Sequence, residues 1–325
     1  MLIERPDLPR PTSRLTLRLR GVGGEAVDLW RTLVSHGMVS LPPMALDESK
    51  RHLEMTIPLE GTAPRTVRIS PAGAQARIEV FGDRPDPVEI QKIKASVGHV
   101  LRLDEDLSPL YRAVEDDPEL TWVTSGAGRM IRSPTVFEEV VKTICTTNCS
   151  WGLTENMVSA LVSKLGRKAP GVVHRGPWGR AFPTPEAMAR KNERFYREVV
   201  RAGYRAPYFR ALASSVADGD VELEELARVP ASELPDDEVE RRLLALPGVG
   251  PYAAAHIMMM LGRYSRLILD SWTRPKYARL TGRKVVKDPA IERRFRRYGP
   301  YAGLAFWLFV TSDWVDEHPE LVPKD

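Results

Sequence analysis

The sequence predicts an α+β protein in which an antiparallel β-sheet domain with helices precedes a mostly α-helical domain. Two observations carry this prediction: segments of the first hundred residues alternate with period two, whereas later segments carry apolar residues at helical spacing. A third is a Gly-x-Gly turn between two predicted helices, Leu246-Pro247-Gly248-Val249-Gly250. We therefore place the sheet domain at residues 1–100 and the helical domain at residues 101–325, with a helical hairpin at 246–250.

The first domain contains four stretches typical of half-buried strands. Clusters of Gly, Pro and Asp separate them, and two helices fit between or after them, at 24–36 and 87–100. Antiparallel strands with helices on one side form a stable two-layer arrangement. The predicted strands are 14–20, 52–57, 66–69 and 76–81.

The second domain is predicted to be helical almost throughout. Gly and Pro make 169–185 a loop, and the apolar run Phe306-Trp307-Leu308-Phe309 indicates a buried helix. The other predicted helices are 107–115, 135–147, 154–165, 184–188, 193–202, 207–218, 236–245 and 251–261.

Positive charge is concentrated around the Gly-x-Gly turn. The chain of 325 residues has a formal net charge of only +4, but residues 241–301 carry 14 Lys and Arg against 3 Asp and Glu. A basic segment of this kind is typical of a nucleic-acid binder. The alternative is the solvated surface of an arginine-rich protein, and the position of the turn favours nucleic acid.

The chain shows no signal peptide and no apolar run long enough to span a bilayer. We expect a cytoplasmic, nucleoid-associated protein without a membrane partner. Its two cysteines, Cys145 and Cys149, are four residues apart on a predicted helix, hence on one face. Two thiols are too few for an iron–sulfur cluster, so we expect core cysteines and no such cluster.

Asp270 follows the last glycine of the turn by twenty residues. Backbone N–H groups at the start of the second helix can bind a DNA phosphate without a basic side chain. A carboxylate nearby can stabilise the cationic sugar that forms when a purine leaves DNA, and can orient or deprotonate water. The alternative role for Asp270 is to cap a helix that starts near Ser271.

Aromatic residues are candidates for a pocket that holds an extruded base. Core packing is the alternative for each of them. Tyr252, two residues after the turn, cannot form the Schiff base that a lysine would form there. The other aromatic candidates are Trp151, Tyr204, Trp272, Phe306 and Trp307.

The turn with Asp270 resembles the helix-hairpin-helix (HhH-GPD) DNA glycosylase superfamily. Further segments resemble 8-oxoguanine glycosylases in the same order, and the inducible 3-methyladenine glycosylase shares the two-part architecture. The resemblance covers residues 100–312 and, more loosely, the sheet domain. The segments are Ile144-Cys145-Thr146-Thr147-Asn148, Phe182-Pro183-Thr184, Ala202-Gly203-Tyr204-Arg205-Ala206 and Gly299-Pro300-Tyr301-Ala302-Gly303.

The resemblance implies roles for individual residues. Asp270 is the catalytic acid, and Gly248, Val249 and Gly250 bind DNA phosphate. Asn148 fills the gap left by the flipped base, while Tyr204 and Arg205 probe the opposite strand or the gap. Trp272 is a further predicted DNA contact. No cofactor is required, although backbone carbonyls can hold Na+ or K+ at the hairpin. These carbonyls belong to Leu244, Leu246 and Val249.

Two departures narrow the expected chemistry. Tyr252 stands where bifunctional 8-oxoguanine enzymes have lysine, and Phe306 stands where they have the glutamine that reads the base. An aromatic residue suits an electron-poor alkylated purine through a cation–π contact. We expect a monofunctional, monomeric DNA glycosylase that removes damaged purines from double-stranded DNA in base excision repair, with alkylated purines as the expected class. The alternatives are an 8-oxoguanine glycosylase with a remodelled pocket and a non-catalytic DNA-binding protein.

Overall fold

The computed structural model describes residues 4–314, and these residues form the predicted α+β fold. Five antiparallel strands make one sheet in the spatial order β1-β5-β4-β3-β2. The edge strands are β1 and β2, and each of the other three strands is hydrogen-bonded on both sides. The strands β2 to β5 form an up-and-down meander, and β1 pairs with β5. The strands are β1 Ser13–Arg18, β2 Met44–Asp47, β3 His52–Ile57, β4 Arg65–Ala72 and β5 Gln75–Phe81.

The register of the sheet follows from its alternation. Leu53 pairs with Ile69, and Met55 pairs with Val67, so that the apolar side chains of β3 and β4 share one face. All four are buried in a core that also takes in Ile93. The fold class predicted from the sequence is therefore confirmed.

All of the described α-helices except the first lie after residue 86. Their bounds are α1 Leu29–Leu33, α2 Pro87–Val100, α3 Ser108–Val114, α4 Val136–Thr146, α5 Trp151–Leu165, α6 Pro185–Ala189, α7 Glu193–Glu198, α8 Ala206–Ala217, α9 Leu223–Arg228, α10 Asp236–Leu244, α11 Pro251–Leu261, α12 Thr273–Leu280, α13 Asp288–Phe295 and α14 Ala302–Val310. The bounds of α2 and α11 are those predicted, and other predicted helices differ by a few residues at their ends.

The largest difference lies in the predicted helix 24–36, of which only α1 is helical. The carboxylate of Asp28 caps its start by accepting from the Arg31 N–H at 2.9 Å. The chain leaves the helix after Val34, and the His36 ring then caps the separate 3-10 helix Gly37–Ser40. Two side-chain caps a few residues apart therefore divide what the apolar pattern presents as one helix.

The helical part contains two apolar cores that meet at α11. The first packs against Ala253 and Ile257 of α11, and the second packs against Ala255 and Met259 of the same helix. Met38, which lies before residue 100, belongs to the first helical core. The helix α11 therefore lies between the two cores, and a residue of the N-terminal part packs into the first of them.

Buried arginines join the N-terminal part of the chain to the helical part. Arg102 donates to the carbonyl oxygens of Met130 (2.6 Å), Met259 (3.2 Å) and Met260, and so caps the C-terminal end of α11. Arg129, which is fully buried, forms an ion pair with Glu25. Buried charges are strongly destabilising unless they are paired or hydrogen-bonded. These contacts therefore tie the end of α11 to the segment that follows α2, and tie Arg129 to the loop before α1.

Within residues 4–314, no helix combines the length and the apolar character that crossing a membrane requires. The final residues of the predicted helical domain, 315–325, lie outside the described part of the chain.

Candidate active site

The predicted hairpin is formed by α10, a turn at 245–250 and α11. Gly248 has φ +82°, in the left-handed region, and a Cβ there would lie 2.8 Å from Cδ2 of Tyr208. Only glycine meets both conditions without strain. The turn itself therefore requires glycine at this position.

Gly250 has a different role. It is the N-cap residue of α11, has an extended backbone and faces open space where a side chain would be. No side chain caps α11, so the amides of its first turn, such as those of Tyr252 and Ala253, are directed towards the cleft. Uncapped amides with open space before them are suited to an anion such as a phosphate.

Asp270 caps α12 and also faces the cleft. Its Oδ1 atom accepts from the backbone N–H of Trp272 (2.8 Å) and of Thr273 (2.6 Å), and its own N–H donates to Thr273 Oγ1 at 2.9 Å. The helix-capping role considered for Asp270 is thus real. These two bonds are accepted by Oδ1 alone, and they fix the orientation of Oδ2 without occupying it.

Two cavities adjoin at Asp270. One is an open cleft of about 870 Å³ lined by the hairpin turn, and the other is a pocket of about 420 Å³ lined largely by aromatic side chains. They share four residues, which stand at the boundary: Thr146, Cys149, Tyr252 and Asp270. A nucleotide whose phosphate lay at the turn could therefore reach the pocket with its base past Asp270.

Three tryptophans form one wall of the pocket. The ring centroids of Trp272, Trp307 and Trp314 lie 5.7 to 5.9 Å from one another. Trp307 is held by a hydrogen bond from its Nε1 to the carbonyl of Ser35 at 2.9 Å. Trp151 also lines the pocket and is 42% exposed. The structure thus brings Trp151, Trp272 and Trp307 together as aromatic lining, although Trp272 was also predicted as a DNA contact.

Tyr252 also lines the pocket, at its boundary with the cleft. Burial raises the pKa of its hydroxyl, a hydrogen bond with Thr146 lowers it, and the charge of Asp270 raises it. The net rise keeps Tyr252 neutral at physiological pH. Its placement beside Asp270 agrees with its predicted position in the base pocket.

Phe306 does not line the pocket, which corrects the prediction. Its side chain is fully buried on α14 and packs against Phe295 and Tyr277, with ring centroids 5.3 and 6.1 Å away. On a helix the next residue points about 100° away, so Trp307 faces the pocket while Phe306 faces the core. The identity of residue 306 therefore gives no information about the base.

Asn148 and Tyr204 lie together at the edge of the cleft. Asn148 has a left-handed backbone, with φ +47°, and its Nδ2 donates to the Tyr204 hydroxyl at 3.4 Å. Tyr204 is 50% exposed. Both side chains are accessible to a ligand in the cleft, as the prediction of DNA contacts requires.

Arg205 is buried, contrary to the expectation that it probes DNA. Its Nε donates to the Ile144 carbonyl at 3.1 Å, and another guanidinium nitrogen donates to the Thr147 carbonyl. The guanidinium thus satisfies carbonyls at the C-terminal end of α4, where helix carbonyls lack internal partners. Arg205 supports Asn148 from within.

The two cysteines are not on one helix, which corrects a second expectation. The helix α4 ends at Thr146, and the left-handed turn at Asn148 places Cys149 in the loop before α5. Cys149 Sγ donates to the Cys145 carbonyl at 3.0 Å. Cys145 is buried as predicted, whereas Cys149 is half-buried at the boundary of the two cavities.

Much of the basic charge around the hairpin is already paired. Arg274 binds Asp288 through two contacts of 2.8 Å, and Lys276, which is buried, pairs with Asp313. The side chains of Arg283 and Lys284 are exposed. The exposed residues, rather than the full sequence count, provide the positive field for a polyanion.

Two histidines in the pocket were not predicted. His36 and His256 both line it and are only 5% and 4% exposed. His256 follows Tyr252 by one helical turn, so amphipathic spacing on α11 could have suggested it. Nothing in the sequence places His36, which is 220 residues earlier in the chain, against the same pocket.

No family model matches the chain. It is 22% identical over 252 residues to the DNA-3-methyladenine glycosylase of Bacillus subtilis (strain 168), a match that covers 74% of this chain and 80% of that protein.

Two solved structures are similar in fold. The apo-form of the 8-oxoguanine glycosylase/lyase from Clostridium acetobutylicum has a TM-score of 0.68 at 20% identity and covers 95% of this chain and 99% of its own. The 3-methyladenine DNA-glycosylase from Archaeoglobus fulgidus has a TM-score of 0.69 at 20% identity and covers 93% and 99%. The chain therefore has the fold of these glycosylases, as the resemblance predicted.

Proposed function

We propose that this protein is a DNA glycosylase that removes damaged purines in base excision repair. The observation that carries the proposal is the position of Asp270 at the boundary between a cleft bordered by uncapped helix amides and a pocket lined by tryptophans. A shared fold does not define a reaction, so the proposed activity depends on the chemistry of the site residues. The names of the similar proteins agree with it.

The reaction needs a base outside the duplex and a carboxylate beside the sugar. Breaking the N-glycosidic bond sends its electron pair to the leaving base and leaves a cationic sugar, which water then attacks at the anomeric carbon with loss of a proton. Asp270 stabilises the cation and receives or directs that proton. Because the N–H groups of Trp272 and Thr273 fix Oδ1, the carboxylate needs little reorganisation during the reaction.

The proposed reaction is monofunctional. Tyr252 offers no amine to the sugar, and among the described residues no lysine lines the cleft or the pocket. A Schiff base requires an accessible amine. We expect borohydride treatment of the protein with a lesion duplex to trap no covalent protein–DNA adduct. A strong adduct would contradict the monofunctional assignment.

Alkylated purines are the proposed class of substrate. Trp272, Trp307 and Trp314 present π faces around the pocket, and a base made cationic by alkylation gains a cation–π attraction to them. The tryptophans, and not the buried Phe306, are the aromatic residues that a base in the pocket would meet. The second candidate is 8-oxoguanine, favoured by the similarity in fold to the Clostridium acetobutylicum enzyme.

Double-stranded DNA is the proposed partner of a monomeric protein. The turn at Gly248, Val249 and Gly250 would hold a phosphate, while Asn148 and Tyr204 at the cleft edge would occupy the space of the extruded base. Arg205 contributes by holding Asn148 in place, and not by touching DNA.

The hairpin also offers carbonyl ligands for a monovalent cation. Within residues 4–314, no backbone N–H donates to the carbonyls of Leu244 and Val249, whereas that of Leu246 accepts from Val249 N–H at 3.2 Å. Unpaired carbonyl oxygens are the ligands that K+ and Na+ prefer. We propose that a bound cation would fix the turn, and that replacing K+ and Na+ by a bulky organic cation would weaken duplex binding.

The test is an excision panel with the full chain. Duplexes would contain 3-methyladenine, 7-methylguanine, hypoxanthine, uracil or 8-oxoguanine, and base release would be measured for the wild type and Asp270→Asn. The asparagine keeps an oxygen for the α12 amides but not the charge, so we expect normal duplex binding and loss of release by about 100-fold or more.

Asp218→Asn is the matched control, because Asp218 is exposed at the far end of α8. It should release bases at the wild-type rate. Full activity of Asp270→Asn would refute the catalytic role, and duplex binding without release of any base by the wild type would favour the non-catalytic alternative.

A further inference from the structure

One of the two histidines of the base pocket, His256, has no hydrogen-bond partner in the described part of the chain that explains its burial. His256 is buried on α11, yet neither of its ring nitrogens has a hydrogen-bond partner among the described residues. Buried polar atoms are almost always paired, and each exception calls for a reason such as an absent ligand. His256 lines the pocket, so a ligand in that pocket can supply the partner.

The tautomer of His36 is set by the backbone. Its Nδ1 accepts from the Met38 N–H at 3.2 Å, so the ring proton of neutral His36 is on Nε2. The ring stacks on Trp307 with centroids 5.1 Å apart and meets the His256 ring edge-on at 4.6 Å. His36 is thereby held against the aromatic wall as an N–H donor of fixed orientation.

Both rings are neutral at physiological pH. Burial lowers the pKa of His36, and the neighbouring His256 lowers it further. Burial lowers the pKa of His256 to about 4, although the charge of Asp270 opposes this. Neutral His256 has one donor and one acceptor, and either ring nitrogen can carry the proton.

We propose that His36 and His256 read the polar edge of the extruded base, with His36 as a fixed donor and His256 as a donor or acceptor. The inference rests on the proposed glycosylase function and extends its substrates to neutral purines that present a carbonyl or ring-nitrogen acceptor, such as hypoxanthine and 8-oxoguanine. Such bases lack the positive charge that tryptophans attract, so polar contacts have to hold them.

The test compares neutral and cationic lesions in single-turnover excision by the full chain. The variant is made at His256, because His36 also caps the 3-10 helix Gly37–Ser40. His256→Phe keeps a ring and removes the polar atoms, whereas His256→Asn keeps a donor and an acceptor. His174→Phe, in the loop between α5 and α6, is the control.

We expect His256→Phe to slow release of hypoxanthine and 8-oxoguanine about 10- to 100-fold more than release of 7-methylguanine. His256→Asn should restore most of the difference, and His174→Phe should show none. A merely structural role, or an effect through Asp270, would slow all three bases by one factor, and that result would overturn the proposal.

A wild type that releases 7-methylguanine but neither neutral base would also overturn the inference while leaving the proposed function intact. A wild type that releases no base from any duplex overturns both. If His256→Phe does not fold, His256→Leu, which also removes the polar atoms, is measured in its place, and thermal unfolding shows which variants are folded.

Discussion

Burial of His256 makes the stability of the protein depend on pH. The pKa of this histidine is 6.5 when free and about 4 in the folded protein, because burial disfavours the charged ring. As pH falls below 6.5, the unfolded chain takes up the proton and the folded protein does not. The stability contributed by neutral His256 is therefore present above pH 6.5 and is lost as pH falls towards 4.

The magnitude follows from the two pKa values. One pKa unit corresponds to about 1.4 kcal/mol. Between pH 7 and pH 5 the unfolded histidine goes from mostly neutral to mostly charged, whereas the folded one stays largely neutral, so His256 accounts for about 2 kcal/mol of lost stability. His256→Phe removes this share and leaves the share of His36.

The assay is urea unfolding at pH 7 and pH 5 for the wild type, His256→Phe and the control His174→Phe. We expect the variant to lose about 2 kcal/mol less than the wild type on acidification. The control, which is half-exposed outside the pocket, tests for the effect of removing any histidine. An equal loss in the wild type and His256→Phe would refute the reasoning, because it would mean that His256 is protonated as readily folded as unfolded.

Three further predictions concern the hairpin and its anchor. Gly248→Ala should lower the free energy of unfolding by about 1–3 kcal/mol, because of its positive φ and the contact with Tyr208. Gly250→Ala should keep wild-type stability but bind duplex DNA more weakly in an anisotropy titration, since its methyl group enters the open space before α11; a stable Gly248→Ala or unchanged binding by Gly250→Ala would contradict this. Arg102→Met should cost about 3 kcal/mol in thermal or urea unfolding, because carbonyls at the end of α11 lose their donor. The exposed Arg84→Met is its control, and equal stability of the two variants would show that Arg102 is not an anchor.

The parts of the fold with strong local signals were predictable. Alternation identified β3 and β5, and a helical pattern bounded by Pro251 and Gly262 identified α11. The edge strand β2 was missed because four residues are too few to establish a period. The helix α9 was also missed, since Leu223 and Leu226 are its only buried residues.

The sequence indicated the site best where its residues lie close together along the chain. The turn and Asp270 are close in sequence and both line the cleft. Phe306 and Arg205 were assigned by resemblance, but the rotation of α14 directs one into the core and carbonyls at the end of α4 bind the other. His36 was missed because its partner, His256, lies on a helix 220 residues later, and only the packed fold brings them together.

Contacts between the N-terminal part and the helical part limit how this protein can be divided. Removing residues 1–100 would take away Glu25 and leave Arg129 charged in the interior, and it would take away Ser35 and His36 from the wall behind Trp307. The two parts therefore depend on each other and have to be expressed together. A recombinant fragment or a gene fusion that begins at residue 101 would carry Asp270 and the hairpin but an incomplete pocket.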